Sequence, residues 1–269
     1  MTAASHPFDD AIAAHTAEPG RLRGHTNPAW ANMVGPFGGV TAAALLHAVH
    51  LQPERAGDPL ALTVNFAAPI GDGAYDITAR VARTNRTNQH WLAQLDQDGE
   101  VKTTASAVFG THRDTWSDTE AVPPPAAPPE QIDPTGFPDG IEWARRYDMR
   151  FVTGPLPLDN RAQPDSTTTL WVRDAADRPL DFTALAALCD VFYPRAFLRR
   201  GTFLPAGTIS LTTYFHTDAA ELDSVGTDFV LGTARAHRFH RGYFDQSAQV
   251  WSRSGQLLAS SHQLVYFKG

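Results

Sequence analysis

The chain has 269 residues, 42% hydrophobic and 19% charged, which excludes a disordered chain and leaves length for one large or two small cores. A formal net charge of −7 argues against a nucleic acid or an acidic membrane surface as a general partner, so any phosphate site is local. The single cysteine, Cys189, excludes an internal disulfide framework and a cysteine metal cage. Residues 1–6 lack a basic stretch followed by an apolar one, and no segment approaches bilayer length; the expectation is a cytoplasmic protein without membrane insertion.

In chain order, Gly38-Gly39 allows a sharp turn into residues 41–51, an Ala- and Leu-rich run without internal Gly or Pro that predicts a helix. Residues 60–66 alternate as a strand does, and further strand-like runs follow at 75–83, 90–97 and 101–109. Asp98-Gly99 between the last two is a tight-hairpin signal, because both residues tolerate positive φ. Residues 121–129, Ala-Val-Pro-Pro-Pro-Ala-Ala-Pro-Pro, continue to Pro134 and Pro138 and cannot form helix or central strand. This predicts a first unit over 1–115, a linker over 116–140 and a second unit over 141–269. Beyond the linker, 150–151 and 168–172 read as strands, and 182–199 as a helix broken at Pro194. Four more strands are expected at 209–215, 229–238, 243–251 and 257–267, with Ser254-Gly255 standing where Asp98-Gly99 stood.

The second unit repeats the first. Leu62-Thr63-Val64-Asn65-Phe66 returns as Leu211-Thr212-Thr213-Tyr214-Phe215, and residues 102–109 return as 258–265. Where the first copy has Gly38, Pro59 and Ala107, the second has Asp190, Thr208 and Gln263, so the polar chemistry sits in one copy. Each copy is a helix followed by an antiparallel meander. That is an α+β unit with the helix on the concave face of a curled sheet, and two such sheets can join edge to edge.

The motifs Phe37-Gly38-Gly39, Asp190 followed by an apolar turn with Pro194, Gly207-Thr208-Ile209 leading to Tyr214-Phe215-His216, and Leu258-Ala259-Ser260-Ser261-His262-Gln263 together resemble the acyl-CoA thioesterase II family. The resemblance runs from about Gly35 to the end, apart from the linker. It implies a double hotdog fold, an acyl-CoA substrate, no cofactor, and an Asp, Thr and Gln that orient an attacking water; these roles fall on Asp190, Thr208 and Gln263. Val40 and Thr63 depart from the Gln or His and the His common in that family, which leaves the length and polarity of the acyl group open.

The residue types suit that chemistry. An Asp can take a proton from water, and Thr and Gln each offer a donor and an acceptor to fix its orientation. Asp190 also stands just before residues 191–198, read as helical, whose N-terminal amides would favour its charged form; capping that helix is the alternative role. Thr208 is equally a common strand residue. Gln263 in a buried strand needs partners for its amide. Gly38 and Gly39 offer either N–H groups for a substrate oxygen or a tight loop-to-helix turn. Arg235, His237, Arg238, His240 and Arg241 form the densest basic cluster, where Arg235 and Arg238 could pair with CoA phosphates or simply be solvated. His216, His237, His240 and His262 show no metal-binding spacing, and no Gly-x-Ser-x-Gly elbow is present. A hotdog hydratase or dehydratase and a non-catalytic acyl-CoA binding protein are the rival readings. Open sheet edges give a route to homo-oligomers.

Overall fold

The computed structural model describes residues 5–18 and 20–269; the N-terminal reading at residues 1–4 lies outside them. A short helix α1 (Pro7–Ile12) leads into β1 (Ala14–Glu18) and β2 (Arg21–His25). Helix α2 (Gly38–His50) precedes β3 (Asp58–Phe66), β4 (Ala74–Thr84), β5 (Asn88–Gln97) and β6 (Glu100–Gly110). The second half contains β7 (Tyr147–Thr153), β8 (Thr168–Asp174), α3 (Phe182–Leu188), α4 (Arg195–Arg200), β9 (Ala206–Phe215) and α5 (Ala219–Val225). It continues with β10 (Val230–Arg235), β11 (Phe239–His240), β12 (Tyr243–Ser252) and β13 (Leu257–Phe267).

The strands form one antiparallel sheet in the order β1-β2-β4-β5-β6-β3-β9-β13-β12-β10-β8-β7, with β11 paired to β12. The order reads the same from both ends once the halves are matched, so the molecule has a pseudo-two-fold axis at the β3–β9 seam. Thr63 faces Thr212 there, their hydroxyls 3.0 Å apart and their positions 149 residues apart. That is the offset by which Leu62 returns as Leu211. The register confirms the copy alignment in the sheet: Leu62 pairs with Ala107 and Leu211 with Gln263. Asp98 and Gly99 both adopt positive φ, as the hairpin requires.

Helices α2 and α3 lie against each other inside this sheet. Ala42, Ala43, Ala48, Ala186 and Ala187 are fully buried, and their small side chains let the two backbones approach. Helix α2 is apolar all round because both of its faces are covered. One correction concerns Gly38 and Asp190, aligned above as equivalents. Gly38 opens α2, whereas Asp190 follows the end of α3; they meet because the two helices run antiparallel.

Residues 116–140 strap the outer face of the second half. Ala121, Ala126 and Ile132 cover Trp171, Phe229, Leu231 and Trp251. The Trp171 indole N–H donates to the Ala127 carbonyl at 2.8 Å, Arg150 donates to the Pro129 carbonyl at 2.9 Å, and Arg253 pairs with Glu130 at 2.7 Å. Because β3 needs β9 and α2 needs α3, a fragment of residues 1–125 is expected to be insoluble or to unfold without a cooperative transition. A soluble fragment with a sharp thermal transition would show that the halves are independent.

Candidate active site

Helix α3 ends at Leu188, and Pro194 prevents it from resuming: the proline has no N–H, and in a helix its ring would clash with the carbonyl four residues back, that of Asp190. Residues 191–194 are therefore non-helical, and α4 starts only after Pro194. This corrects the expected helix over 191–198 and removes Asp190 as its cap. The α3 cap is Asp181, which accepts from the Ala184 N–H at 2.8 Å. The turn carrying Asp190 is clamped from behind. Fully buried Arg195 donates to the Tyr193 carbonyl and, at 2.6 Å, to the Thr168 hydroxyl, while the Tyr193 hydroxyl donates to the Gly154 carbonyl at 2.7 Å.

Asp190, Thr208 and Gln263 come together at one cavity of about 130 Å³. The Gln263 amide N–H donates to Asp190 Oδ1 at 2.8 Å, and the Thr208 hydroxyl donates to Gln263 Oε1 at 3.1 Å. The Gly39 N–H also donates to the Asp190 carboxylate. That carboxylate thus sits at the N-terminus of α2, a helix whose N-cap position, Phe37, has no side-chain acceptor. Asp190 caps the first copy's helix across the fold rather than its own. Burial nevertheless dominates and pushes its pKa up to about 7 against the lowering effect of the Gln263 and Gly39 hydrogen bonds. The charged form is disfavoured, opposite to the expectation from an adjoining helix start.

The glycine pair is required by close approach. A Cβ on Gly38 would lie 2.6 Å from Asp190 Oδ2, and one on Gly39 would lie 2.6 Å from the Ala187 carbonyl oxygen. The Gly39 N–H is taken up by Asp190 and is not available to a substrate oxygen. Arg235 and Arg238 are exposed and do not border the cavity; the Arg238 backbone N–H donates to Asp245 Oδ1 at 3.0 Å. The fold does gather His237, Asp245 and His262, which sequence spacing did not show. Asp245 Oδ2 lies 2.5 Å from His237 Nδ1 and 3.3 Å from His262 Nε2. Burial of Asp245 is more than offset by these hydrogen bonds and those from the backbone N–H groups of Arg238 and His237, which bring its pKa down to about 2. The cluster is explained by locking this turn.

Sequence reading missed two parts of the site. One is the cavity wall, built from aromatic rings of both halves: Phe37 stacks on Trp143 with centroids 4.1 Å apart, and Phe137, Phe151, Phe192 and Phe197 complete it. The other is Gln246, which borders the cavity and pairs with Gln263 across β12 and β13. Comparing the copies would have found it. Trp91 pairs with Ala107 in the first half, so Gln246 stands where that copy has Trp91. A larger, more open cavity of about 370 Å³ lies at the other end of the helix pair, lined by His47, His50, Asp181 and Arg178 among others. Its Arg178 and Asp181 are ion-paired at 2.6 Å, and it lacks the linked carboxylate, amide and hydroxyl of the first cavity.

The family model for the acyl-CoA thioesterase C-terminal domain matches residues 119–267, and that for the N-terminal domain matches residues 27–110. No curated protein sequence matches the chain. Among solved structures, a hot dog fold protein of unknown function from Alicyclobacillus acidocaldarius is 46% identical over 99% of both chains, with a TM-score of 0.95. The tesB protein of Mycobacterium avium subs paratuberculosis is 20% identical over 97% of this chain and 98% of its own, with a TM-score of 0.79. An acyl-CoA thioesterase II from Mycobacterium marinum is 16% identical over 97% and 98%, with a TM-score of 0.75; these last two likenesses concern the fold. No helix among the described residues is long and apolar enough to cross a membrane. With both of its halves matched in order and one antiparallel sheet wrapped around central helices, the chain is a double hotdog protein and belongs to the acyl-CoA thioesterase family.

Proposed function

We propose that this protein hydrolyses an acyl-CoA thioester to the free acid and CoA by direct attack of a water molecule. The observation that carries the reading is the linked set Asp190–Gln263–Thr208 at the apolar cavity. Asp190, as carboxylate, takes a proton from the water as its oxygen bonds to the thioester carbonyl carbon. Gln263 has a second amide hydrogen and Thr208 has free lone pairs, so each can still orient that water while bonded to its neighbour. The tetrahedral intermediate then expels the CoA sulfur, which leaves as the thiol with the proton returned by Asp190.

Release of free thiol from a panel of acyl-CoA substrates tests the reading. Conversion without CoA release would favour a hydratase, and binding without conversion a carrier or sensor. Because only ionised Asp190 can accept the proton, kcat is expected to rise with pH through about 7 and then level off. An acid limb near pH 4 would exclude Asp190 as the titrating base. Gly38→Ala, whose Cβ would press on Asp190 Oδ2, is expected to lower kcat on the order of 10²-fold by misplacing the base. Unchanged kcat in that variant would place the reacting carboxylate elsewhere.

A further inference from the structure

Gln246 is 1% exposed, and neither its amide nitrogen nor its amide oxygen has a hydrogen-bond partner. Among the described residues it is the one buried side chain with two polar atoms both left bare, and it borders the reaction cavity. An amide buried in this way carries the full cost of desolvation, and the equivalent place in the first half is filled by an apolar-bodied residue, Trp91. Packing in this fold therefore does not demand an amide here. The second half has placed a donor and an acceptor next to its reaction centre without using either one internally.

We propose that Gln246 hydrogen-bonds an oxygen substituent on the acyl group, so that the substrates are short acyl thioesters carrying a hydroxyl or oxo group at C2 or C3 rather than plain alkyl chains. This rests on the hydrolytic reading of the site. Two observations set the class. Gln246 is the direct cross-strand partner of Gln263, so their Cβ atoms are about 5 Å apart; a group that reaches Gln246 while the carbonyl faces the Gln263 water lies within two or three bonds of that carbonyl. The cavity of about 130 Å³ is near the ~150 Å³ that accommodates benzene in an apolar protein cavity, which limits the acyl group to roughly six heavy atoms. An alkyl chain in that space would leave the Gln246 amide unpaired in the complex, and a site with a buried amide waiting for a partner discriminates against the analogue that lacks one.

The test uses pairs of thioesters that differ by OH against CH3: 3-hydroxybutyryl-CoA with 3-methylbutyryl-CoA, and 2-hydroxybutyryl-CoA with 2-methylbutyryl-CoA. In the wild-type protein at least one hydroxyacyl member is expected to be preferred by about tenfold or more in kcat/KM. In Gln246→Leu the ratio is expected to fall to near one or to invert. The Leu variant should also melt at or above the wild-type temperature, since a bare buried amide is replaced by a hydrocarbon; Gln246→Met serves in the same role if the branched side chain does not fold. The same ratios are measured as Kd by calorimetry in an Asp190→Asn background, where turnover does not interfere. A wild-type ratio near one, or a ratio that the Leu and Met variants leave unchanged, overturns the assignment of Gln246 while leaving hydrolysis intact. Discrimination in binding without CoA release from any thioester retains Gln246 as the recognition residue and overturns hydrolysis. Absence of both binding and release overturns both.

Discussion

Asp190→Asn is expected to remove ~10²- to 10⁴-fold of kcat on whichever acyl-CoA the wild-type protein hydrolyses. The amide keeps the shape of the carboxylate but cannot take the proton from water. The same variant has a second signature. Asp190 has a folded-state pKa of about 7 against an ordinary value of 3.8, so between these values the folded protein holds a proton that the unfolded chain has given up. Wild-type stability therefore falls as pH rises from about 4 to about 7 and is flat above that. Asn carries no such penalty. Its advantage over wild type should be absent below pH 4, grow to pH 7 and then level off, with a ceiling of roughly 4 kcal/mol from three pKa units. Part of this is given back because Gln263 and Gly39 both point donors at the site and the Asn amide can accept with only one atom. Thermal melts across pH 4–8 beside steady-state rates measure both effects. Near-wild-type hydrolysis by the folded variant would remove Asp190 as the base, and a melting difference independent of pH would remove the raised pKa.

The parts of the fold that were legible in the sequence are those whose cause is local. Strands β3 to β6 and β9, β12 and β13 are nine to eleven residues long, and each carries a stretch of period-2 alternation. By contrast, β2 buries only Leu22 and Gly24 between Arg21, Arg23 and His25, a pattern too short to stand out. Helix α5 carried its signal in Asp218 and Glu221, which form a reciprocal capping box, yet its seven residues bury only Leu222. Thr208 and Gln263 were legible through duplication, because register in a two-fold sheet preserves which positions face each other; Asp190, which is not the structural equivalent of Gly38, was carried by the family resemblance alone. What sequence could not supply was the long-range part. The backbone N–H that bonds Asp190 comes from Gly39, in the other half, and the charge state of Asp190 follows from burial beside a cavity whose aromatic rings lie far apart in the chain. The basic cluster around Arg235 and Arg238 does not border the cavity, since density along the chain does not set direction in space.

Gln263 separates water orientation from proton transfer, and two substitutions make the separation measurable. Gln263→Ala deletes the donor to Asp190 Oδ1, one of the two hydrogen bonds that hold the Asp190 pKa down against burial. Its acid limb is expected above the wild-type position near 7, with kcat reduced even on the plateau, where Asp190 is fully ionised but the water has lost a partner. Gln263→Glu behaves differently, because two carboxyls at hydrogen-bond distance titrate as a pair with two macroscopic pKa values driven apart by like-charge repulsion. With one proton between them, the protonated Glu can donate to Asp190 as the amide did, leaving a base and a donor in place. When that second proton leaves, the donor is gone and two charges share a buried site. The rate profile is therefore expected to change from a single rising limb to a bell, with a new fall on the alkaline side that neither wild type nor Gln263→Ala shows. Full pH–rate profiles of the three proteins decide the matter. If Gln263→Glu kept the single limb and the plateau rate of wild type, Gln263 would lie outside the reacting assembly, and the water held between Asp190, Thr208 and Gln263 would have to be abandoned.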